Sequence, residues 1–111
     1  MKIIDEIAAE RWRQRAEEGW SANHDDGHTR GELARAAAAY ALHSSDFRDA
    51  EELDANYRIK APPSCWPVNW DIKWWKPKNP RRDLIRATAL LVAEIERLDR
   101  REQAAATPGV L

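Results

Sequence analysis

A chain of 111 residues has the length of one domain, and a formal net charge of −1 excludes any global electrostatic pull toward nucleic acid or an anionic membrane. Cys65 has no second cysteine to pair with, which excludes an intrachain disulfide framework and fits a reducing cytoplasm. No apolar run approaches the roughly 20 residues that cross a bilayer and no apolar leader opens the chain, so the expectation is a soluble cytoplasmic protein.

Residues 3–18 carry the first helical pattern. Ile3, Ile4, Ile7 and Ala8 form an apolar stripe that Arg11 and Gln14 continue at helical spacing, and Gly19 supplies a stop. On the same wheel Glu10 and Gln14 fall below Ile3 and Ile7. This predicts an inward-facing polar set, with Arg11 or another basic group as the partner that a buried carboxylate requires. The stretch "WSANHDDGHTRG" reads as a polar loop. A second helix is expected from Thr29 to about His43, with Thr29 and Glu32 at capping-box spacing. Its alanine run leaves one face smooth enough for another helix, or another subunit, to approach closely. Residues 46–57 suggest a short third helix.

From Ile59 to Pro80 the chain is irregular and holds five of the six prolines and four of the six tryptophans, Trp66, Trp70, Trp74 and Trp75. A long structureless stretch in a small domain tends toward function, and tryptophans need burial or a ligand. The last helix starts with Asn79 as cap and Pro80 at its first position. Leu84, Ala87, Leu91, Ile95 and Leu98 read as its core stripe, widened by Ile85, Leu90 and Val92. There is no strand pattern, no internal repeat and no heptad seam of coiled-coil length. The fold class is therefore all-α, a small helical bundle with a long Trp/Pro-rich irregular segment before the last helix. Residues 1–103 form one domain and 104–111 a flexible tail.

Four constellations could carry chemistry. In "HDDGH" two imidazoles and two carboxylates, among them Asp25 and Asp26, lie within five residues, a set able to hold a divalent ion or simply to make an Asx turn. The Glu10–Arg11–Gln14 set is either scaffolding or the wall of a pocket. Glu32 and Asp83 each open a helix, where the dipole favours a carboxylate, and they could share Mg²⁺ if the helix ends meet. In "KWWKPKNPRR", Lys73, Lys76, Lys78, Arg81, Arg82 and Arg86 cluster around indole faces and a helix N-terminus. Phosphate on the cations and a base on an indole would suit a nucleotide. The expected ligand surface is Trp75, Lys76, Lys78, Arg81 and Arg82 with Trp70, loop and core sharing the remaining tryptophans. On this reading Arg81 and Arg82 contribute to binding and almost nothing to stability.

Taken together, "ERWRQRAEEGW", "HDDGHTRGELARAAAAYAL" and "WPVNWDIKWWKPKNPRRDLIRATALLVAEIERLDR" resemble a group of small phage and prophage proteins over nearly the whole chain. More distantly, the ERxRQ helix ahead of an ELAxAA helix resembles the MazG-like all-α nucleoside triphosphate pyrophosphohydrolases. That resemblance implies an Mg²⁺ cofactor held by an ExxE and an ExxD pair. Glu32 and Asp83 match one acid of each pair, whereas Thr29, Arg35 and Pro80 stand where the partners belong. The incomplete acid set favours a phage-type nucleotide-binding protein, one that sequesters a host cyclic-nucleotide defence signal in an anti-defence role within the host cytoplasm. The other readings are an Mg²⁺-dependent dNTP pyrophosphohydrolase and, more weakly, a nucleic-acid-binding module. The expected partners are a nucleotide ligand and further copies of the chain in a homo-oligomer, with no membrane.

Overall fold

The computed structural model describes residues 2–46 and 56–106. These form four α-helices, α1 (Lys2–Glu17), α2 (Ala22–Asp26), α3 (Glu32–Ser45) and α4 (Pro80–Ala106), with a single 3₁₀ turn at Ile72–Trp74 and no strand among the described residues. The all-α bundle expected from the periodicity is the observed architecture. None of these helices is long and apolar enough to cross a membrane. The helix expected over 46–57 lies almost wholly outside the described residues.

Small side chains set the central contact. Ala36, Ala37 and Ala39 of α3 and Ala87, Ala89 and Ala93 of α4 are all buried, with Leu33, Tyr40 and Leu90 filling the space around them. Alanine loses no side-chain entropy on burial and lets two backbones come close. The pair is antiparallel: Tyr40 lies beneath Arg86, while Glu32 at the other end of α3 is within electrostatic range of Arg97. The smooth alanine face is thus filled from within the chain, where the sequence also allowed a second subunit.

The helix ends follow local chemistry. The Asn79 side chain accepts from the Arg82 N–H at 2.8 Å, the cap expected ahead of Pro80. Gly19 takes a left-handed φ of 73° two residues past the end of α1. The start of α3 differs from the capping-box reading, because Gly31 at φ 78° turns the backbone and the helix begins at Glu32, three residues later than Thr29. Glu32 still satisfies an orphan donor, accepting from the Arg30 N–H at 2.6 Å. The polar stretch read as a loop contains α2, capped by the Ser21 hydroxyl on the His24 N–H at 3.2 Å.

Two apolar stripes are buried only in part. In α4, Leu84, Leu91, Ile95 and Leu98 are about half exposed, while the expected Ile85, Ala87 and Leu90 are buried together with Ala89, Ala93, Asp83 and Arg97. In α1, Ile3 and Ile4 lie open, and the polar continuation of the stripe, Glu10, Arg11 and Gln14, is buried as its spacing predicts. α4 turns its small residues to α3 and its charged ones to α1, which leaves the leucines outside. The last helix also continues to Ala106.

The Trp/Pro segment is a series of turns. The N–H groups of Trp66, Trp70 and Trp74 bond back to the carbonyls of Pro63, Pro67 and Asp71 at 3.0, 3.1 and 3.1 Å. "PSCW", "PVNW" and "DIKW" are therefore three consecutive turns, each setting one indole at its close. Trp66 joins Trp20 in the core, and Trp70, Trp74 and Trp75 pack against it.

Ala93→Leu should destabilise the chain by about 1–3 kcal/mol, because three added carbons have no space between α3 and α4. Gly31→Ala should cost about 1 kcal/mol through the left-handed φ alone. Urea unfolding of both variants measures these effects, and a neutral Ala93→Leu would contradict close packing of the two helices.

Candidate functional site

Two polar networks and a cavity surround the tryptophans. The first network joins α1 to the start of α4. The Glu10 carboxylate is fully buried and accepts from Arg13 at 2.7 and 2.8 Å, from Gln14 at 3.1 Å and from Arg82 in a short contact. Arg86 stands 3.8 Å away. Burial pushes the Glu10 carboxyl up, but the bonds from Arg13 and Arg82 more than offset that and hold it below its ordinary value. Beside it, buried Asp83 accepts from the Tyr57 hydroxyl at 2.6 Å and from the Lys78 N–H at 3.1 Å. Burial dominates there and leaves Asp83 above the usual carboxylate range. Tyr57 is also pushed up, first by burial and then by the Asp83 carboxylate it bonds to.

The second network lies around α2. Arg11 donates to Asp25 at 2.8 Å and to Glu96 at 3.2 Å. The other oxygen of Asp25 meets His24 Nδ1 at 3.1 Å. His24 Nε2 faces His28 Nε2 at 3.3 Å, and His28 Nδ1 lies 3.6 Å from Glu32. Burial and the neighbouring His24 keep His28 below the ordinary imidazole range. Glu32 is pushed up by burial, yet the Asn69 amide at 3.2 Å and the backbone N–H groups of Arg30 and Glu32 bring it below its ordinary value. Asp26 pairs with Arg100 at 2.8 Å on the surface.

The residues expected to form the ligand surface fall into different places. Trp75 stacks on Tyr40 at 4.7 Å and donates its Nε1–H to the Lys60 carbonyl at 2.9 Å, so it is committed to packing. Trp70 sits between Trp20 and His28. Lys76 lies over the Trp74 ring at 5.3 Å, with its ammonium 3.8 Å from Glu18. The Lys78 backbone binds Asp83, and the residue is exposed. Arg81 pairs with Glu6 at 2.8 Å. Arg82 is a clamp on the buried Glu10 carboxylate, so the expectation that it contributes nothing to stability is replaced by a structural role.

Of the acids considered for a metal, Asp25, Asp26 and Glu32 cluster near α2, whereas Asp83 belongs to the Tyr57–Arg86 network across the chain. Among the described residues no group of three or more His, Cys, Asp and Glu side chains converges as a metal cage. Each of these acids is engaged by hydrogen bonds or by arginine.

The cavity is a feature that the sequence did not reveal. About 310 Å³ in volume, it is lined by Arg30, Glu32, Arg35, Trp66 and Asn69 with the turn between them. Neither the Arg30 nor the Arg35 guanidinium has a carboxylate partner among the described residues, in contrast to Arg81 and Arg82. The indole N–H of Trp66 is buried with no hydrogen-bond partner. Its walls come from α3 and from a turn more than thirty residues away, which a single sequence cannot join; the unpaired "TRGELAR" arginines were the available signal.

No protein-family model, curated protein or solved structure matches the chain.

Glu10→Ala should lower stability by about 3 kcal/mol, the low end for a broken buried pair because Arg13 and Arg82 keep access to water. Because its folded pKa is depressed, Glu10 contributes stability above its unfolded value of 4.5 that is lost as pH falls through the folded value. Asp83, raised in the fold, acts in the opposite sense and favours the folded chain at low pH. Chemical unfolding between about pH 3 and pH 6 should therefore show a flatter acid limb in Glu10→Gln and a steeper one in Asp83→Asn.

Proposed function

We propose that this chain is a nucleotide-binding protein that captures a phosphorylated nucleotide, as a phage-type sequestering protein would capture a host cyclic-nucleotide signal. The observation that carries this reading is the cavity, where two arginines without acidic partners among the described residues stand beside the Trp66 side chain. Its volume lies at the lower end for small-ligand sites. A phosphate accepts from guanidinium in a bidentate fork, which suits Arg30 and Arg35. The Asn69 amide and the Glu32 carboxylate at the same wall offer the donor and acceptor that a base edge needs. The phosphate role thus moves from Arg81 and Arg82 to Arg30 and Arg35.

The exposed leucines support the homo-oligomer. Leu84, Leu91, Ile95 and Leu98 recur at the seven, four and three residue steps of a helical seam. Beside them a groove of about 370 Å³ is lined by Ile4, Trp12 and Val92. A face of this size left in water favours association, and a second copy offers the matching stripe.

Purified protein incubated with dNTPs and with cyclic di- and trinucleotides, with Mg²⁺ or EDTA, then chromatographed before and after heating, tests the function. One compound should be depleted equally in EDTA and return intact on heating. Release of monophosphate and pyrophosphate only with Mg²⁺ would replace sequestration by hydrolysis. Arg35→Ala should weaken capture roughly tenfold to a hundredfold, the loss of one charge-assisted bond. For the oligomer, sedimentation of Leu91→Asp/Ile95→Asp should show a smaller species with unchanged helix content.

A further inference from the structure

We propose that His24 and His28 form a two-histidine clip for a borderline divalent ion of the Zn²⁺ class, a site that shares Glu32 with the cavity wall but does not rest on the nucleotide reading. Their Nε2 atoms face one another at 3.3 Å. Two imidazoles bound to one tetrahedral Zn²⁺ at about 2.0–2.1 Å bring their nitrogens to about 3.3–3.4 Å, so the pair is set at the required bite.

The outer atoms of both rings reinforce this geometry. His24 Nδ1 meets Asp25 at 3.1 Å, and the other oxygen of Asp25 accepts from Arg11. His28 Nδ1 lies 3.6 Å from Glu32, whose carboxylate accepts from Arg30 and Asn69. A carboxylate on the Nδ1 side of each ring favours the tautomer with its proton there, which leaves each Nε2 able to ligate; without an ion the two Nε2 atoms are within hydrogen-bond distance of each other. A carboxylate behind each ligating imidazole is the outer arrangement that fixes metal-binding histidines and raises their basicity.

Packing fixes the rings as well. His24 stacks parallel on Trp20 at 5.8 Å and His28 abuts Trp70 at 5.1 Å. The side chains keep 34% and 18% exposure, so an ion can enter and water can complete its coordination. Imidazole selects Zn²⁺, Ni²⁺ or Cu²⁺ over Mg²⁺, so the clip is distinct from the acidic Mg²⁺ site considered for the sequence. His43 does not compete, because its Nε2 is 2.7 Å from the Tyr57 carbonyl.

The test is calorimetric titration of untagged, EDTA-stripped full-length protein with Zn²⁺ and, separately, with Mg²⁺. One saturable Zn²⁺ equivalent per chain is expected, abolished in His24→Ala and in His28→Ala, and weakened roughly 10–100-fold in Glu32→Gln through the outer partner. Co²⁺ added to the unmodified chain should give visible absorption bands of a nitrogen–oxygen ligand set, a readout that does not depend on how the variants fold. Absence of saturable Zn²⁺ binding, binding unchanged in both histidine variants, or equal Mg²⁺ binding would each overturn the clip.

Discussion

Helix α1 is held to the molecule by charge. Its buried residues are Glu10, Arg11 and Gln14, while its isoleucines at the start lie open. The Glu10 carboxylate therefore acts as the fixed point: Arg13 from its own helix and Arg82 from α4 converge on it, and Arg86 lies behind them. Burying one carboxylate is costly by itself, and several guanidinium bonds are what make its position tenable. Arg11, one residue further on, extends the same tether to Asp25 and Glu96. Through the pair with Asp25 the placement of α2, and with it the histidines, depends on α1.

The second constraint is the close approach of α3 and α4 across alanines. Helices this close leave no room for large side chains between them, so the bulk of the apolar volume is supplied from outside by indoles. The turns ending in Trp66, Trp70 and Trp74 deliver that volume over the helix pair. Tyr40 ties the arrangement together, its hydroxyl donating to the Trp74 carbonyl at 2.9 Å and accepting from the Lys76 N–H at 3.0 Å. The cavity beside Arg30 and Arg35 is the space left where the first two of these turns meet the start of α3.

Local signals were legible in the sequence and long-range ones were not. The all-α class, the Asn79 cap, the Gly19 stop and the inward Glu10 and Gln14 follow from spacing within one or two turns of chain. The leucines of α4 and the first isoleucines of α1 were misassigned because periodicity identifies an apolar face without saying which part of it meets a neighbour, and here alanine and arginine took the interior. The four-residue cadence of "PSCWPVNWDIKW" was present in the letters, yet it reads as irregular unless Pro and Asp are taken as turn openers and Trp as the closing residue. The candidate site was the least legible part. Arg81 and Arg82 looked available because Glu6 and Glu10 lie some seventy residues away, and the pairing of Asn69 with Glu32 spans 37.

The tryptophan arrangement also determines how the molecule handles light. Trp20, Trp66, Trp70, Trp74 and Trp75 form a continuous set with neighbouring rings 5.4 to 5.8 Å apart, whereas Trp12 stands on the open face of α1 at 68% exposure. Rings this close share excitation, so the five packed indoles emit as one coupled group, whereas Trp12 emits from aqueous surroundings.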